Sequence, residues 1–215
     1  MSSPTRFFPS GKIYHICNKS IAGYNIFRSK KLFNRYIITL NYYNNCNLKL
    51  SLSKALRKEL QLDSILTRRL ENIVHIIAYC LMPSHYHLLV KINYENQFSK
   101  YINNIENSYT RYYNKSNKRK GPLWQSCFKA IQIPNDATLL HVHRYIHLNP
   151  TTAHIVDKPE DWVWSSYRSY ITSKWVLKTN YEISIKSIYR YKKFVENQIN
   201  YQRTIGGIRS KLLDT

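Results

Sequence analysis

The sequence predicts an α+β fold, in which helices pack on an antiparallel sheet. Two β-rich runs, at 73–80 and 85–92, are separated by Met82-Pro83-Ser84, which is typical of an antiparallel pair. Apolar residues recur at helical spacing on both sides of this pair, and further β-rich runs lie at 13–17 and 126–133. The resulting order of strand, helix, strand, strand, helix, strand, helix is typical of a sheet covered by helices.

The first part of the chain is predicted to contain one strand and two helices. The strand runs from Ile13 to Cys17, where β-branched and aromatic residues dominate. Residues 21–27 indicate a turn that leads into a short extended piece. Residues 29–70 are mostly helical in pattern, and the Asn-rich stretch at 42–50 divides them into two helices.

The second part of the chain supplies the predicted central strands and two longer helices. The paired β-rich runs are too apolar for a sheet edge, so we expect both in the middle of the sheet. An amphipathic helix is predicted from Phe98 to Tyr113. The last predicted helix covers about 137–148, with a cap at Asn135 or Asp136 and an end at Asn149-Pro150.

The charge of the chain indicates a polyanionic partner. The formal net charge is +21 over 215 residues, and no Asp or Glu precedes Glu59. Nucleic acid is the first expectation and an anionic membrane surface the second. The sequence has no long apolar segment that predicts a membrane span, and its start lacks the apolar core of a signal peptide, so we expect no membrane partner.

The cysteines argue against two common small folds. The chain has four, and they form no Cys-x-x-Cys pair, which argues against a zinc finger and against a disulfide scaffold. We therefore expect a reducing compartment, the cytoplasm, with the protein associated with the nucleoid.

A pair of histidines directly precedes the apolar part of the second central run. His85 and His87 are one residue apart, so on a strand they point to the same side while Tyr86 points to the other. Two neutral imidazoles on one rigid strand are suited to sharing a metal ion. A lone His-x-His pair is more often surface or packed histidine, so the pair by itself leaves both interpretations open.

The last predicted helix carries a tyrosine and an amide that share one face. Tyr145 and Asn149 are four residues apart, with His141 one turn earlier, whereas His143 and His147 form a separate row. A phenol beside a metal ion is a candidate nucleophile. The chain has 19 tyrosines, and many of them are expected to pack in the core. Residue type alone therefore does not identify Tyr145 as the nucleophile.

Several stretches together resemble a known family. In chain order they are Tyr14-His15-Ile16 with Lys19, Tyr79 to Val90, Gly121-Pro122-Leu123-Trp124-Gln125, Phe128-Lys129-Ala130, Arg144 to Pro150, and Trp164-Ser165-Ser166-Tyr167. This combination resembles the HUH single-strand DNA transposases, in particular the REP-associated tyrosine transposase branch of the IS200-like superfamily. The resemblance covers about residues 10–170.

The resemblance implies a fold and a division of the chain. The fold is a ferredoxin/RRM-like HUH sandwich with its catalytic tyrosine on a late helix. Residues 10–170 would form the catalytic domain, and residues 171–215 a basic C-terminal extension, which contains nine Lys or Arg residues.

The resemblance also implies an activity and its residues. The metal ligands fall on His85, His87 and Asn149, and the nucleophile falls on Tyr145. The implied enzyme is a transposase that uses Mg²⁺ or Mn²⁺, cleaves single-stranded DNA at or near hairpin elements such as REP sequences, and forms a 5′-phosphotyrosine intermediate. The chain departs from the family pattern at Ser84, Lys19-Ser20 and Tyr86. The departures at Ser84 and Lys19-Ser20 bear on DNA recognition more than on cleavage, and Tyr86 faces away from the metal by strand parity.

Single-stranded or hairpin DNA is therefore the expected partner, bound by phosphate contacts and base stacking. The candidate DNA-binding residues are those of a basic loop and one arginine on the last helix: Lys115, Lys118, Arg119, Lys120 and Arg144. The resemblance leaves a monomer and a homodimer both open.

Two other functions remain open at the level of sequence. The first is a non-catalytic DNA-hairpin binding protein that keeps the transposase fold. The second is a metal hydrolase built on His141, His143 and His147, which helical geometry disfavours because the three lie on two faces. His141 is also a candidate general base, although a surface histidine is the more frequent outcome.

Overall fold

A four-stranded antiparallel sheet forms the centre of the protein. The computed structural model describes residues 7–58, 71–172, 183–185 and 187–204. Its strands lie in the order β2-β3-β1-β4. Their bounds are β1 Ile13–Lys19, β2 Val74–Leu81, β3 His85–Ile92 and β4 Lys129–Ile133. The predicted α+β class and the antiparallel sheet are confirmed.

The helices cover both faces of this sheet. They include α1 Lys30–Tyr43, α2 Leu52–Arg57, α3 Glu95–Ser116, α4 Asp136–Thr152, α5 Tyr167–Thr172 and α6 Ile188–Glu196. The Asn-rich stretch does separate α1 from α2, while residues 59–70 of the predicted second helix lie outside the described residues. Within residues 21–27, Ile21–Gly23 form a short 3-10 turn. Residues 24–27 form no strand, so the predicted extended piece is not observed there.

Side chains that alternate along the central strands divide the interior into two layers. On one face, Tyr86 and Leu88 of β3 pack with β1 residues against α1 and α3 in the larger core cluster. On the opposite face, Leu89 belongs to a second cluster, which includes Ile146 of α4 and Tyr191 of α6. The odd-numbered side chains of β3 therefore point toward α4.

The prediction that both apolar strands are central is wrong for β2, which is the end strand of the sheet. Its outer side is covered by a later segment of the chain. The Leu81 amide donates to the Trp164 carbonyl at 2.9 Å, and the Ser166 amide donates to the Tyr79 carbonyl at 2.9 Å. The Trp162 indole nitrogen donates to the Leu81 carbonyl at 3.0 Å. These hydrogen bonds pair backbone N–H and C=O groups on the outer side of β2, which would otherwise need water as their partner.

The prediction that Asn149-Pro150 ends the last helix is also wrong, because α4 continues to Thr152. Pro150 lacks the amide that would bond the Ile146 carbonyl, and it stands only two residues before the last residue of α4. The following turn is closed by the Ala153 amide on the Asn149 carbonyl and the Ile155 amide on the Pro150 carbonyl, both at 2.9 Å. At the other end, the Asn135 side chain caps the helix by accepting from the Thr138 amide at 2.9 Å.

Within the described ranges, no helix combines the length and the apolar character that crossing a membrane requires.

Candidate active site

His85 and His87 lie side by side on the face of β3 that α4 covers. Their ring centroids are 5.0 Å apart, and the rings are nearly perpendicular. Tyr86 points to the opposite face, as strand parity predicts, and its hydroxyl donates to the buried Glu106 carboxylate at 2.7 Å. Tyr86 is thus tied to α3 and cannot reach the chemistry of the two histidines.

Both histidines are held neutral by their surroundings. Burial, with a smaller contribution from the positive charge of Lys19, lowers the pKa of His85 to about 4. Burial also lowers the pKa of His87 well below its ordinary value, and the neighbouring His85 and His15 act in the same direction. At neutral pH each ring therefore keeps a lone pair on one nitrogen, which is the form that binds metal.

Strand β1 brings two further ligand-type side chains to the same face. Cys17 is directly opposite His87 in the register, and His15 is two residues away on the same side. The His15 Nε2 and His87 Nδ1 atoms are 2.9 Å apart. One ligand atom from each of His15, Cys17 and His87 lies within 4.8 Å of the others. This cluster was not predicted from the sequence, although His15 and Cys17 alternate on a predicted strand and so point to the same side.

Helix α4 lays Tyr145 against this histidine face. The centroid of the Tyr145 ring is 5.7 Å from that of His87 and 6.2 Å from that of His15, with edge-to-face geometry in both cases. Asn149 follows one turn later, and its amide nitrogen donates to the Tyr145 carbonyl at 2.9 Å. That contact uses the nitrogen and not the amide oxygen, which is the atom that a metal ion would take.

An open cleft of about 560 Å³ gives access to the histidines. His85, His87 and Cys17 line it together with Lys19 and Lys129. Lys19 is opposite His85 in the pairing of β1 with β3, and Lys129 is opposite Cys17 in the pairing of β1 with β4. Both lysines are exposed, so they can neutralise phosphates that enter the cleft. The candidate DNA-binding set derived from the sequence did not include them.

The predicted DNA-binding residues divide into free lysines and engaged arginines. Lys115, Lys118 and Lys120 are exposed at the end of α3. Arg119 instead holds the loop together, donating to the Asn114 side chain at 3.0 Å and to the Pro122 carbonyl at 2.7 Å. Arg144 is half-buried: its guanidinium lies 4.5 Å above the Phe194 ring of α6 and contacts His141 at 2.9 Å.

The remaining histidines of α4 do not meet at one point. His141 is exposed and contacts Arg144, whereas His143 and His147 are fully buried. Tyr191 of α6 joins the buried pair: its hydroxyl is hydrogen-bonded to His147 Nδ1 and lies 3.0 Å from His143 Nδ1. This arrangement agrees with the helical geometry that disfavoured a three-histidine hydrolase, and it shows that the pair anchors α6 to α4.

Comparison with known proteins bears on this site directly. The family model for IS200-like transposases matches residues 47–149, which include β2, β3, α3, β4 and most of α4. A solved structure of a REP-associated tyrosine transposase bound to a REP hairpin shares the fold, with a TM-score of 0.54 at 16% identity, over 86% of this chain and 94% of that chain. Curated proteins give no match. The matched segment, which carries His85, His87 and Tyr145, spans just under half of the chain and is similar to the family of IS200-like transposases.

Proposed function

We propose that the protein is a metal-dependent endonuclease and strand transferase for single-stranded DNA, a transposase that cleaves at or near hairpin elements. The single observation that carries the proposal is the Tyr145 ring, 5.7 Å from the ring of a neutral, buried histidine on the central strand. A tyrosine, a pair of imidazoles and a cleft lined by lysines are the parts that this reaction needs. Their arrangement is the one expected of an HUH sandwich.

The side chains present fit a divalent ion. His87 Nε2 is buried and, in the described part of the chain, has no hydrogen-bond partner, which is unusual for an imidazole unless a ligand completes it. His85, His87 and the amide oxygen of Asn149 are the ligands we propose, with Mg²⁺ or Mn²⁺ as the ion and imidazole favouring Mn²⁺. When bound, such an ion supplies Lewis-acid polarisation of a DNA phosphate.

The role proposed for Tyr145 is that of nucleophile. Its phenol oxygen forms a bond to the phosphorus and loses its proton to solvent. The bond from phosphorus to the 3′-oxygen breaks, and the departing oxygen takes up a proton from solvent. The products are a 5′-phosphotyrosine and a free 3′-hydroxyl. Because one phosphodiester replaces another, the bond energy is retained and a second strand can be joined without ATP.

DNA binding is proposed to rest on phosphate neutralisation around the cleft. Lys19 and Lys129 flank the histidines, and Lys115, Lys118 and Lys120 extend the positive surface at the end of α3. The solved transposase of similar fold is bound to a REP hairpin, which supports a hairpin as the form of DNA for this chain. We place the protein at the nucleoid and leave its state as a monomer or homodimer to measurement.

Removal of the two strand histidines is expected to abolish metal binding. Calorimetric titration of Mn²⁺ into wild-type protein should give one site, and the His85→Ala/His87→Ala variant should give no detectable heat. His154→Ala, which removes an exposed histidine two residues beyond the end of α4, is the matched control and should bind like the wild type. Unchanged affinity in the double variant would refute the assignment of the ligands.

Binding to DNA is expected to favour hairpins and single strands over plain duplex and to weaken steeply with salt. Each phosphate contact that is neutralised releases counterions, so the logarithm of affinity should fall with the logarithm of salt by about 0.7 per contact on a single strand. Lys19→Ala and Lys129→Ala should each lower this slope, whereas Lys54→Ala, on α2, should leave it unchanged. Equal affinity for a random duplex at physiological salt would count against the proposal.

The function itself is tested by a covalent adduct. Labelled single-stranded hairpin DNA is incubated with protein and Mn²⁺, then denatured and separated on a gel. A labelled band at the mass of protein plus DNA supports the enzyme, and a chelator should prevent it. Tight hairpin binding without any adduct at saturating Mn²⁺ would instead support the non-catalytic hairpin-binding protein.

A further inference from the structure

We propose that His15, Cys17 and His87 form a second metal site, which takes a thiophilic divalent ion such as Zn²⁺ and shares His87 with the catalytic site. The sharing makes the two ions mutually exclusive, so the second site would switch the enzyme off. The exclusion of one ion by the other rests on the proposed function, whereas the thiolate site itself does not.

The geometry of two neighbouring strands creates the site. Cys17 and His87 are paired across β1 and β3, and His15 projects from the same face of β1. The three ligand atoms lie within 4.8 Å of one another. Zinc–nitrogen bonds of about 2.0–2.1 Å place two imidazole nitrogens of a tetrahedral site about 3.3 Å apart. The observed 2.9 Å between His15 Nε2 and His87 Nδ1 therefore needs only a small rotation of the rings.

The chemistry of the three ligands differs from that of the catalytic set. Two imidazoles and a thiolate favour Zn²⁺ over Mg²⁺ and Mn²⁺, which prefer oxygen. Cys17 is a free cysteine, partly buried, and it lines the open cleft together with His87, so an ion can enter. Three protein ligands leave a fourth position for water or a phosphate oxygen.

The shared histidine explains why both ions cannot bind. A neutral imidazole has one lone pair and one N–H. The Nδ1 atom of His87 faces His15, while Nε2 is buried without a partner among the described residues. An ion bound at Nδ1 forces the proton onto Nε2, so His87 can no longer serve an ion on the other side of the ring. Zn²⁺ at the second site should therefore release Mn²⁺ from the first.

Cobalt substitution tests the thiolate site without reference to DNA cleavage. Co²⁺ added to the wild-type protein should produce the near-ultraviolet charge-transfer band of a thiolate–cobalt bond, and Zn²⁺ should remove it. Cys17→Ser should lose the band. Cys127→Ser, which changes an exposed thiol outside the cluster, should keep it, and so should His85→Ala, because His85 is not a ligand here. Absence of the band in wild type, or its persistence in Cys17→Ser, would overturn the proposal.

Two measurements keep the test independent of variant folding and of the catalytic proposal. In wild-type protein, Zn²⁺ should protect Cys17 but not Cys127 from alkylation, as mapped by mass spectrometry; equal labelling of both thiols would overturn the site. In electron paramagnetic resonance, one equivalent of Zn²⁺ should release bound Mn²⁺ from wild type and not from Cys17→Ser. A thiolate band with Mn²⁺ still bound would refute the sharing of His87. A thiolate band in the presence of Co²⁺, together with no DNA cleavage in Mn²⁺ alone, would refute only the catalytic proposal.

Discussion

Replacing Tyr145 by Phe is expected to reduce cleavage of single-stranded DNA by at least about 10³-fold, since loss of a nucleophile removes the covalent route altogether. DNA affinity and Mn²⁺ affinity should be unchanged. The substitution removes only a hydroxyl from a residue that is partly exposed, and the aromatic contacts with His87 and His15 involve the ring. The measurement is single-turnover cleavage of a labelled hairpin, followed on a denaturing gel.

Tyr86→Phe is the matched control for this prediction. Tyr86 is adjacent to both histidines in sequence, but its hydroxyl donates to Glu106 on the other face of the sheet. Its loss is expected to lower the unfolding free energy by about 1–3 kcal/mol, because Glu106 is left buried with one donor fewer. Cleavage per folded molecule should remain at the wild-type level. Loss of cleavage in Tyr86→Phe with retention in Tyr145→Phe would exchange the two roles and refute our assignment.

Acid is expected to destabilise the protein strongly, and His143 should account for a definable part of the effect. His143 is fully buried, with Tyr191, His147 and Tyr170 as its titratable neighbours from α6, α4 and α5. Burial lowers its pKa to about 3. The unfolded chain, with a histidine pKa of about 6.5, binds one proton more between these values, so stability falls as pH falls by about 1.4 kcal/mol per unit. At pH 4.5 this amounts to about 3 kcal/mol for His143 alone.

Urea unfolding between pH 7.5 and 4.5 measures this slope. His143→Gln has no titrating group at that position, so below about pH 6.5 its curve should be flatter than that of wild type by about 1.4 kcal/mol per pH unit, whatever its absolute stability. Equal slopes in the two proteins would contradict the prediction. In wild type, the ring resonances of His143 should show no titration down to pH 4.5, which provides a check that does not depend on the variant.

The sequence was most informative about features that depend on residues close together in the chain. Strand β3 has the bounds expected from its β-rich run, and the alternation of side chains along a strand was enough to direct His85 and Tyr86 to opposite faces. The four-residue spacing of Tyr145 and Asn149 likewise predicted one helical face. Each of these inferences depends on neighbours within one element, where periodicity fixes the direction of a side chain.

Features that depend on distant pairing were missed. The cluster of His15, Cys17 and His87 exists because β1 pairs with β3, across 72 residues of sequence. The position of β2 at the sheet edge depends on the later segment at 162–166, which covers it. Local pattern carries no information about strand order or register, so neither feature could be derived before the sheet was known.

The destinations of charged side chains were equally hard to derive. Arg144 stays a predicted DNA contact, and its guanidinium also packs on Phe194, a residue of the C-terminal part of the chain. Lys19 and Lys129 reach the cleft because β1 lies between β3 and β4. The net charge predicts that the partner is anionic. Tertiary contacts decide which Lys and Arg side chains are available to bind it.

The measurement that tests the central claim most directly is peptide mapping of the covalent protein–DNA adduct. Wild-type protein is incubated with a single-stranded hairpin substrate and Mn²⁺, the adduct is digested with protease and nuclease, and the modified peptide is sequenced by mass spectrometry. We predict one phosphonucleotide adduct, on Tyr145, with the attached nucleotide linked through its 5′-phosphate. An adduct on any other tyrosine, a 3′-phosphate linkage, or a band that persists in Tyr145→Phe would contradict the account.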